Sequence, residues 1–385
     1  MRQFLASLIA VCCLLGCAKR GVDTPIFHAE TNPDLLSDWK VLRVENQTLV
    51  LADNVIPYDL NSSLFTDYAH KLRTIWVPEG LAAEYQETAV FEFPIGTIIS
   101  KTFYYPHAPG AGADSLQLAK APDKTAELLT EGFDLNRVRL IETRLLIRRA
   151  DGWAALPYVW NKDQTDARLK RAGDIKSLQL VSAENPLAES PVQDFNYIVP
   201  NVNQCAGCHA TNATTRDIHP IGPAARHLNK SFAYKTGAKN QILAWQDIGV
   251  LSPISLTDNI PKNVNWEDIS SPLNARARAY LDINCAHCHN PVGPADTSGL
   301  NLEAHSPDGP SLGTCKLPIA AGTGTGDRAF DIIPGKPEES IFTFRMESTN
   351  PAVMMPELGR SLSHTEGVEL IAQWIAQMEG ACEAG

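Results

Sequence analysis

Methionine is scarce in this 385-residue chain. There are five, and none falls between Met1 and Met346. That gap excludes a thioether metal ligand from most of the sequence. Basic charge is also short, with 33 Lys and Arg against 44 Asp and Glu and a formal net charge of −11. This balance disfavours nucleic acid and anionic lipid as partners and suits contact with a basic protein. Beyond the N-terminus no segment is long and apolar enough to span a membrane. No low-complexity tract is present, and no Ser-His-Asp order, phosphate loop or paired-carboxylate arrangement stands out. Asp163, Asp166 and Glu142 match no defined calcium loop and read as a solvated strand end.

What the chain does have is cysteine in a repeated pattern. Cys205-Ala-Gly-Cys208-His209 and Cys285-Ala-His-Cys288-His289 are two Cys-x-x-Cys-His motifs, the one internal repeat. The spacing lets two thiols add to the two vinyl groups of one haem while the adjacent His reaches the iron as fifth ligand. A four-cysteine zinc site usually has its pairs closer in sequence. A thioredoxin-like site needs a βαβ setting and has no use for the His. The motifs therefore predict two covalent haem c groups, one on Cys205 and Cys208 and one on Cys285 and Cys288. His209 and His289 are the expected proximal iron ligands.

The N-terminus points the same way. Residues 1–16 read as a signal peptide: Met1-Arg2-Gln3, an apolar run from Phe4 to Leu15, and Gly16 before the cut. Leu14-Leu15-Gly16-Cys17 resembles a bacterial lipobox and predicts lipidation of Cys17; an ordinary signal peptide cut elsewhere is the alternative. Haem attachment to such motifs in bacteria follows export, so signal and motifs agree. Ala18 stands where Asp would mark inner-membrane retention, which favours the outer membrane. The expected location is the periplasmic side of that membrane, held by lipid. Of the nine cysteines, Cys12 and Cys13 leave with the signal, Cys17 takes lipid and four take haem. Cys315 and Cys382 remain, and an oxidising compartment would join them. Two free buried thiols are the alternative.

The predicted fold class is multidomain: an N-terminal, mostly antiparallel β module, sandwich or barrel-like, followed by two mainly α cytochrome segments. The boundaries are a tether over 17–33, the β-rich module over 34–194, the first haem segment over 195–270 and the second over 271–385. Ile98 to Tyr105, Leu140 to Arg149 and Trp153 to Trp160 have strand composition. Pro57, Pro78, Pro94, Pro106 and Pro157 disfavour long helices there. Residues 108–134 read as an insertion loop with one helical turn. Helices are expected over 240–250 and 275–283. Ser363-His364-Thr365-Glu366 matches a capping box. The helix after it carries Val368, Ile371, Trp374, Ile375 and Met378 on one stripe. A helix running into Cys285 and a C-terminal helix against it is the layout of a class I cytochrome c domain.

Such domains commonly place the distal Met in a Met-Pro turn. Met355, followed by Pro356, is thus the expected distal ligand of the second haem, ahead of Met354 and Met346; Met378 reads as core. The first segment has no Met. Its expected distal ligand is His219, with His227 or an open iron as alternatives. His287, inside the second motif, is expected to be solvent-exposed or a hydrogen-bond donor.

Several stretches carry a resemblance. They include Ile56-Pro57-Tyr58-Asp59-Leu60-Asn61, Phe93-Pro94-Ile95-Gly96-Thr97, Ile141-Glu142-Thr143-Arg144-Leu145-Leu146 and Trp160-Asn161-Lys162-Asp163-Gln164-Thr165-Asp166. Further along are Asn284-Cys285-Ala286-His287-Cys288-His289-Asn290 and Met354-Met355-Pro356-Glu357-Leu358-Gly359-Arg360. Together they resemble a group of bacterial dihaem c-type cytochrome lipoproteins, through most of the mature chain. The N-terminal module also looks like one found beside quinoprotein-type dehydrogenases with cytochrome domains. The resemblance implies haem binding and electron transfer and assigns the β module no role. The expected function is that of a periplasmic electron-transfer protein serving other redox proteins. Two alternatives stay open: a peroxidase-like haem enzyme with an open first haem, and an electron-accepting subunit that docks a periplasmic dehydrogenase.

Overall fold

A computed structural model describes residues 23–112, 114–182, 192–210, 214–254 and 259–383. The expected signal peptide and Cys17 lie outside the described residues.

Strands β1 (Leu42–Glu45) and β2 (Thr48–Leu51) form a hairpin, joined by the short β7 (Phe133–Asp134). The largest sheet has six strands: β3 (Ile56–Tyr58), β4 (His70–Trp76), β5 (Ile98–Pro106), β8 (Val138–Arg149), β9 (Gly152–Trp160) and β10 (Ala167–Leu169). Its order is β10-β9-β8-β5-β4-β3, antiparallel throughout. A third sheet pairs β11 (Asp174–Ser182) with β12 (Val192–Val199) and, in parallel, with β6 (Gln117–Lys120). The hairpin β13 (Ser231–Tyr234) and β14 (Gly237–Asn240) is the fourth.

Side chains alternate across a sheet, so each strand of the large sheet serves two cores. Leu72, Ile98, Tyr104, Leu145, Ile147 and Tyr158 point to one face, where they bury Trp39, Leu36 and the first hairpin. On the other face Ile75 and Ile99 pack with Leu228, Ile242 and Trp245. Farther along that face Phe103, Ile141 and Val159 pack with Leu178, Phe195 and Tyr197 of the third sheet. Between these two apolar clusters the face is left polar, and a cavity forms there.

The two mainly α segments expected after the β module are not what the chain builds. The described residues hold 14 strands in four sheets and seven helices, 27% strand and 21% helix. The first segment has α2 (Cys205–His209), α3 (Ala225–Leu228) and α4 (Gln241–Asp247), none longer than two turns, and the fourth sheet. Its apolar residues complete a core begun by strands of the large sheet. The second segment has α5 (Leu273–Asn284), α6 (Ile341–Glu347) and α7 (Thr365–Ala376). From 291 to 337 it carries seven prolines, and proline forbids helix interiors, so this stretch winds through turns and short 3₁₀ pieces. The insertion at 108–134 likewise holds more than a turn, with β6, β7 and α1 (Thr125–Glu131).

Helix α5 crosses α7 through Ala277, Tyr280 and Leu281 against Leu370, Ile371 and Trp374. Trp374 Nε1 donates to Asn274 Oδ1 at 2.8 Å. The capping box does not form: His364 is the N-cap of α7 and no side chain caps it. Glu366 instead accepts from Tyr68 Oη at 2.9 Å and from Lys120 Nζ at 2.5 Å. Cys315 and Cys382 are disulfide-bonded, tying the chain's tail to the winding stretch.

Candidate functional site

The first motif is itself a single helical turn. Asn201 launches it, its Oδ1 accepting from the backbone of Asn203 and Gln204 at 3.0 and 2.9 Å. The second motif continues α5, with the backbone N–H groups of Cys288 and His289 donating to the Cys285 carbonyl at 3.1 and 2.9 Å. In both, the histidine is anchored by Nδ1. His209 Nδ1 lies 2.7 Å from the His219 carbonyl, which accepts its proton. His289 Nδ1 lies 2.9 Å from Ser298 Oγ, whose own hydroxyl donates to the Ala295 carbonyl at 2.7 Å. A histidine donating from Nδ1 keeps its lone pair on Nε2, the arrangement an iron ligand needs. Burial, reinforced by nearby Lys101, pushes His209 down to about 4. Burial, reinforced by His287, does the same to His289. Both rings are therefore neutral at pH 7.

Each motif opens on its own cavity. The first cavity is lined by Cys205, Cys208 and His209 and by the polar middle of the large sheet. Arg73, Lys101 and Arg144 stand in register across β4, β5 and β8 and all line it. Like charges opposite one another on a sheet are destabilising, so the row suits an anionic occupant. Arg144 is held by the fully buried Glu142 at 2.6 Å, and Glu142 also accepts from Tyr197 Oη at 2.7 Å. Glu142 is thus no solvated strand end. Arg73 reaches Asp59 at 3.5 Å, and its Nη2 has no hydrogen-bond partner among the described residues. Burial, together with Arg144, pushes Lys101 down to about 7.

The second cavity is lined by Cys285, His289, Met346 and Met355, with Leu281, Leu300 and Phe342 among its apolar walls. Met355 is gripped from both sides. Its N–H donates to the Arg345 carbonyl at 2.9 Å, and its carbonyl accepts from Arg360 Nη2 at 2.9 Å. The same guanidinium bonds the carbonyls of Ser348 and Leu362. Met354 is buried but does not line the cavity, and Met378 packs against the α5–α7 core.

The remaining expected residues fall less simply. His219 is exposed and does not line the first cavity; its N–H and carbonyl are both bonded to His209, on the ring's anchored side. His227 does line it and is 3% exposed. His287 is half-buried. It lines the first cavity although it belongs to the second motif, and its Nδ1 is buried without a partner.

The two motifs, far apart in sequence, meet. Cys208, His287 and Cys288 bring their ligand atoms within 4.8 Å of one another. Cys288 Sγ lies 3.3 Å from the Gly207 carbonyl. Leu358, three residues past Met355, closes over the first motif, its Cδ1 2.7 Å from where a Cβ on Gly207 would stand. Nothing in residue spacing alone signalled this junction or the cation row.

The donor set fits haem c at both places: two thiols, one neutral imidazole with its lone pair free, and a cavity beside them. Carboxylate groups on the first haem would find Arg73 and its partnerless Nη2. No family model, curated protein or solved structure matches the chain.

Proposed function

We propose that the chain is an exported dihaem c-type cytochrome that carries single electrons between redox proteins on the periplasmic side of a bacterial membrane, with Cys17 as its lipid anchor. The observation that carries this reading is the junction of the motifs. The first lines its cavity with Cys205, Cys208 and His209, the second lines another with Cys285 and His289, each histidine is anchored and neutral, and the sulfurs of Cys208 and Cys288 come within 4.8 Å of each other. Haem in both places would supply reversible one-electron chemistry. The protein's part is to hold, orient and insulate. Cys205, Cys208, Cys285 and Cys288 form the covalent links, and His209 and His289 present Nε2. Met355 is positioned by Arg360 to offer its sulfur in the second cavity. The Arg73–Lys101–Arg144 row neutralises negative charge in the first. The excess of acidic residues favours a basic partner surface.

Intact mass of periplasm-matured protein tests the reading. Two haem additions that survive acid–organic extraction are expected; one or none refutes it. In the same preparation, Cys17→Ser should move the protein from the membrane to the soluble fraction.

A further inference from the structure

Four nitrogen-bearing side chains that could ligate a metal line the first cavity: Lys101, His209, His227 and His287. His209 belongs to the motif. His287 sits at the cysteine junction, beside Cys208 and Cys288, where the edges of the two attachment sites meet. Lys101 belongs to the in-register cation row with Arg73 and Arg144. His227 stands apart. It lies on α3, brought to the cavity because its carbonyl accepts from the Asn61 N–H at 2.9 Å. Its ring is 3% exposed, Nε2 is 3.2 Å from Asp282 Oδ2, and Nδ1 has no partner among the described residues. A buried ring nitrogen without a partner is destabilising, and a ligand bound at that atom removes the cost.

The partner of His227 is equally telling. Asp282 is on α5, three residues before Cys285, and fully buried. It also accepts from Arg226 Nε at 2.8 Å, Asn263 Nδ2 at 2.7 Å and the Ala304 N–H at 3.1 Å. A carboxylate on the far nitrogen of a metal-binding histidine fixes its orientation and raises its basicity.

We propose that His227 is the sixth ligand of the iron held by His209, offering Nδ1, and that Asp282 is its positioning residue. This rests on the dihaem reading. It replaces His219, whose main chain is spent anchoring His209. It also ties the first iron's ligand to the helix that ends in the second motif. Stronger donation from a carboxylate-bonded imidazole lowers the reduction potential, whereas a thioether raises it. The iron held by His209 and His227 is therefore the more reducing of the two.

The test uses full-length, periplasm-matured protein, with intact mass first establishing two haems in every variant. Electron paramagnetic resonance of the ferric wild type should show two low-spin centres. His227→Ala should convert one of them to high spin and leave the methionine-to-iron charge-transfer band of the other. His227→Met, which keeps a bulky ligand in place, should stay low-spin and raise the lower of the two midpoints. Asp282→Asn should raise that same midpoint with no change of spin. A low-spin first haem in His227→Ala, lost instead in Lys101→Ala, His219→Ala or His287→Ala, overturns the assignment. So does a high-spin first haem in the wild type. Both of those outcomes leave the dihaem reading intact, whereas a wild type without two haem additions removes that reading itself.

Discussion

The sulfurs of Cys208 and Cys288, one from each motif, lie within 4.8 Å of each other. Attachment at one motif can still be removed without the other, because the cavities are separate and each has its own anchored histidine. Changing Cys285 and Cys288 together to Ala should therefore leave one covalent haem, read as the loss of a single haem mass. Loss of both would show that the junction must form before either site is filled.

Met355 should be the thioether ligand in the second cavity. Met355→Ala is expected to abolish the methionine-to-iron charge-transfer band of the ferric spectrum. Met354→Ala should keep the band, because that side chain does not line the cavity. Met346 does line it, so a band that survives in Met355→Ala and disappears in Met346→Ala would move the assignment to Met346.

His364 gives the fold a pH dependence. Its ring stacks on Phe65, with centroids 4.2 Å apart, and shares a hydrogen bond of 2.9 Å with Tyr280 Oη. Burial pushes its pKa down to about 4, against an upward pull from Glu366. The folded ring stays neutral while the unfolded one takes a proton below about pH 6.5. The stabilisation is thus complete above pH 6.5 and is lost as pH falls through 4, at up to about 3 kcal/mol. Urea midpoints of the periplasm-matured protein at pH 7 and pH 5 should converge in His364→Gln relative to wild type. An unchanged gap would assign the acid sensitivity elsewhere.

Replacing Cys315 and Cys382 together by Ser should lower the unfolding free energy by about 2–4 kcal/mol, since the bridge closes a loop across a sequence separation of 67. Chemical denaturation of the paired variant measures this. An unaltered midpoint would mean that the core beneath α7 holds the tail by itself.

Where the sequence spoke through local pattern, the structure follows it. Strands over 98–105, 140–149 and 153–160 and helices near 241 and 273 appear close to where alternation, periodicity and turn residues placed them. The failures are tertiary. A Ser–Glu pair at the right spacing did not cap α7, because Tyr68 and Lys120, some 250 to 300 residues earlier, hold Glu366. The first haem segment looked self-contained, yet Leu228, Ile242 and Trp245 bury themselves against strands from the other half of the chain. The two motifs are read from local spacing alone, whereas their meeting at Cys208 and Cys288 is tertiary. The sequence put His219 ahead of His227, because the contact that distinguishes them, Asp282 against His227, is made by a residue far along the chain.

Asp67 lies in the β module, and its carboxylate accepts from the backbone N–H groups of Ser361 and Leu362 at 2.7 and 2.8 Å. Ser361 immediately follows Arg360, the residue that grips Met355. The path of the methionine loop is therefore set by a strand-connecting segment nearly three hundred residues upstream. A graft of residues 271–385 onto another sheet would carry its cysteines and histidine along but leave behind the template for its loop. Chimaeras of related chains should accordingly inherit the colour of their second site from the donor of the sheet, and only its covalent attachment from the donor of the motif.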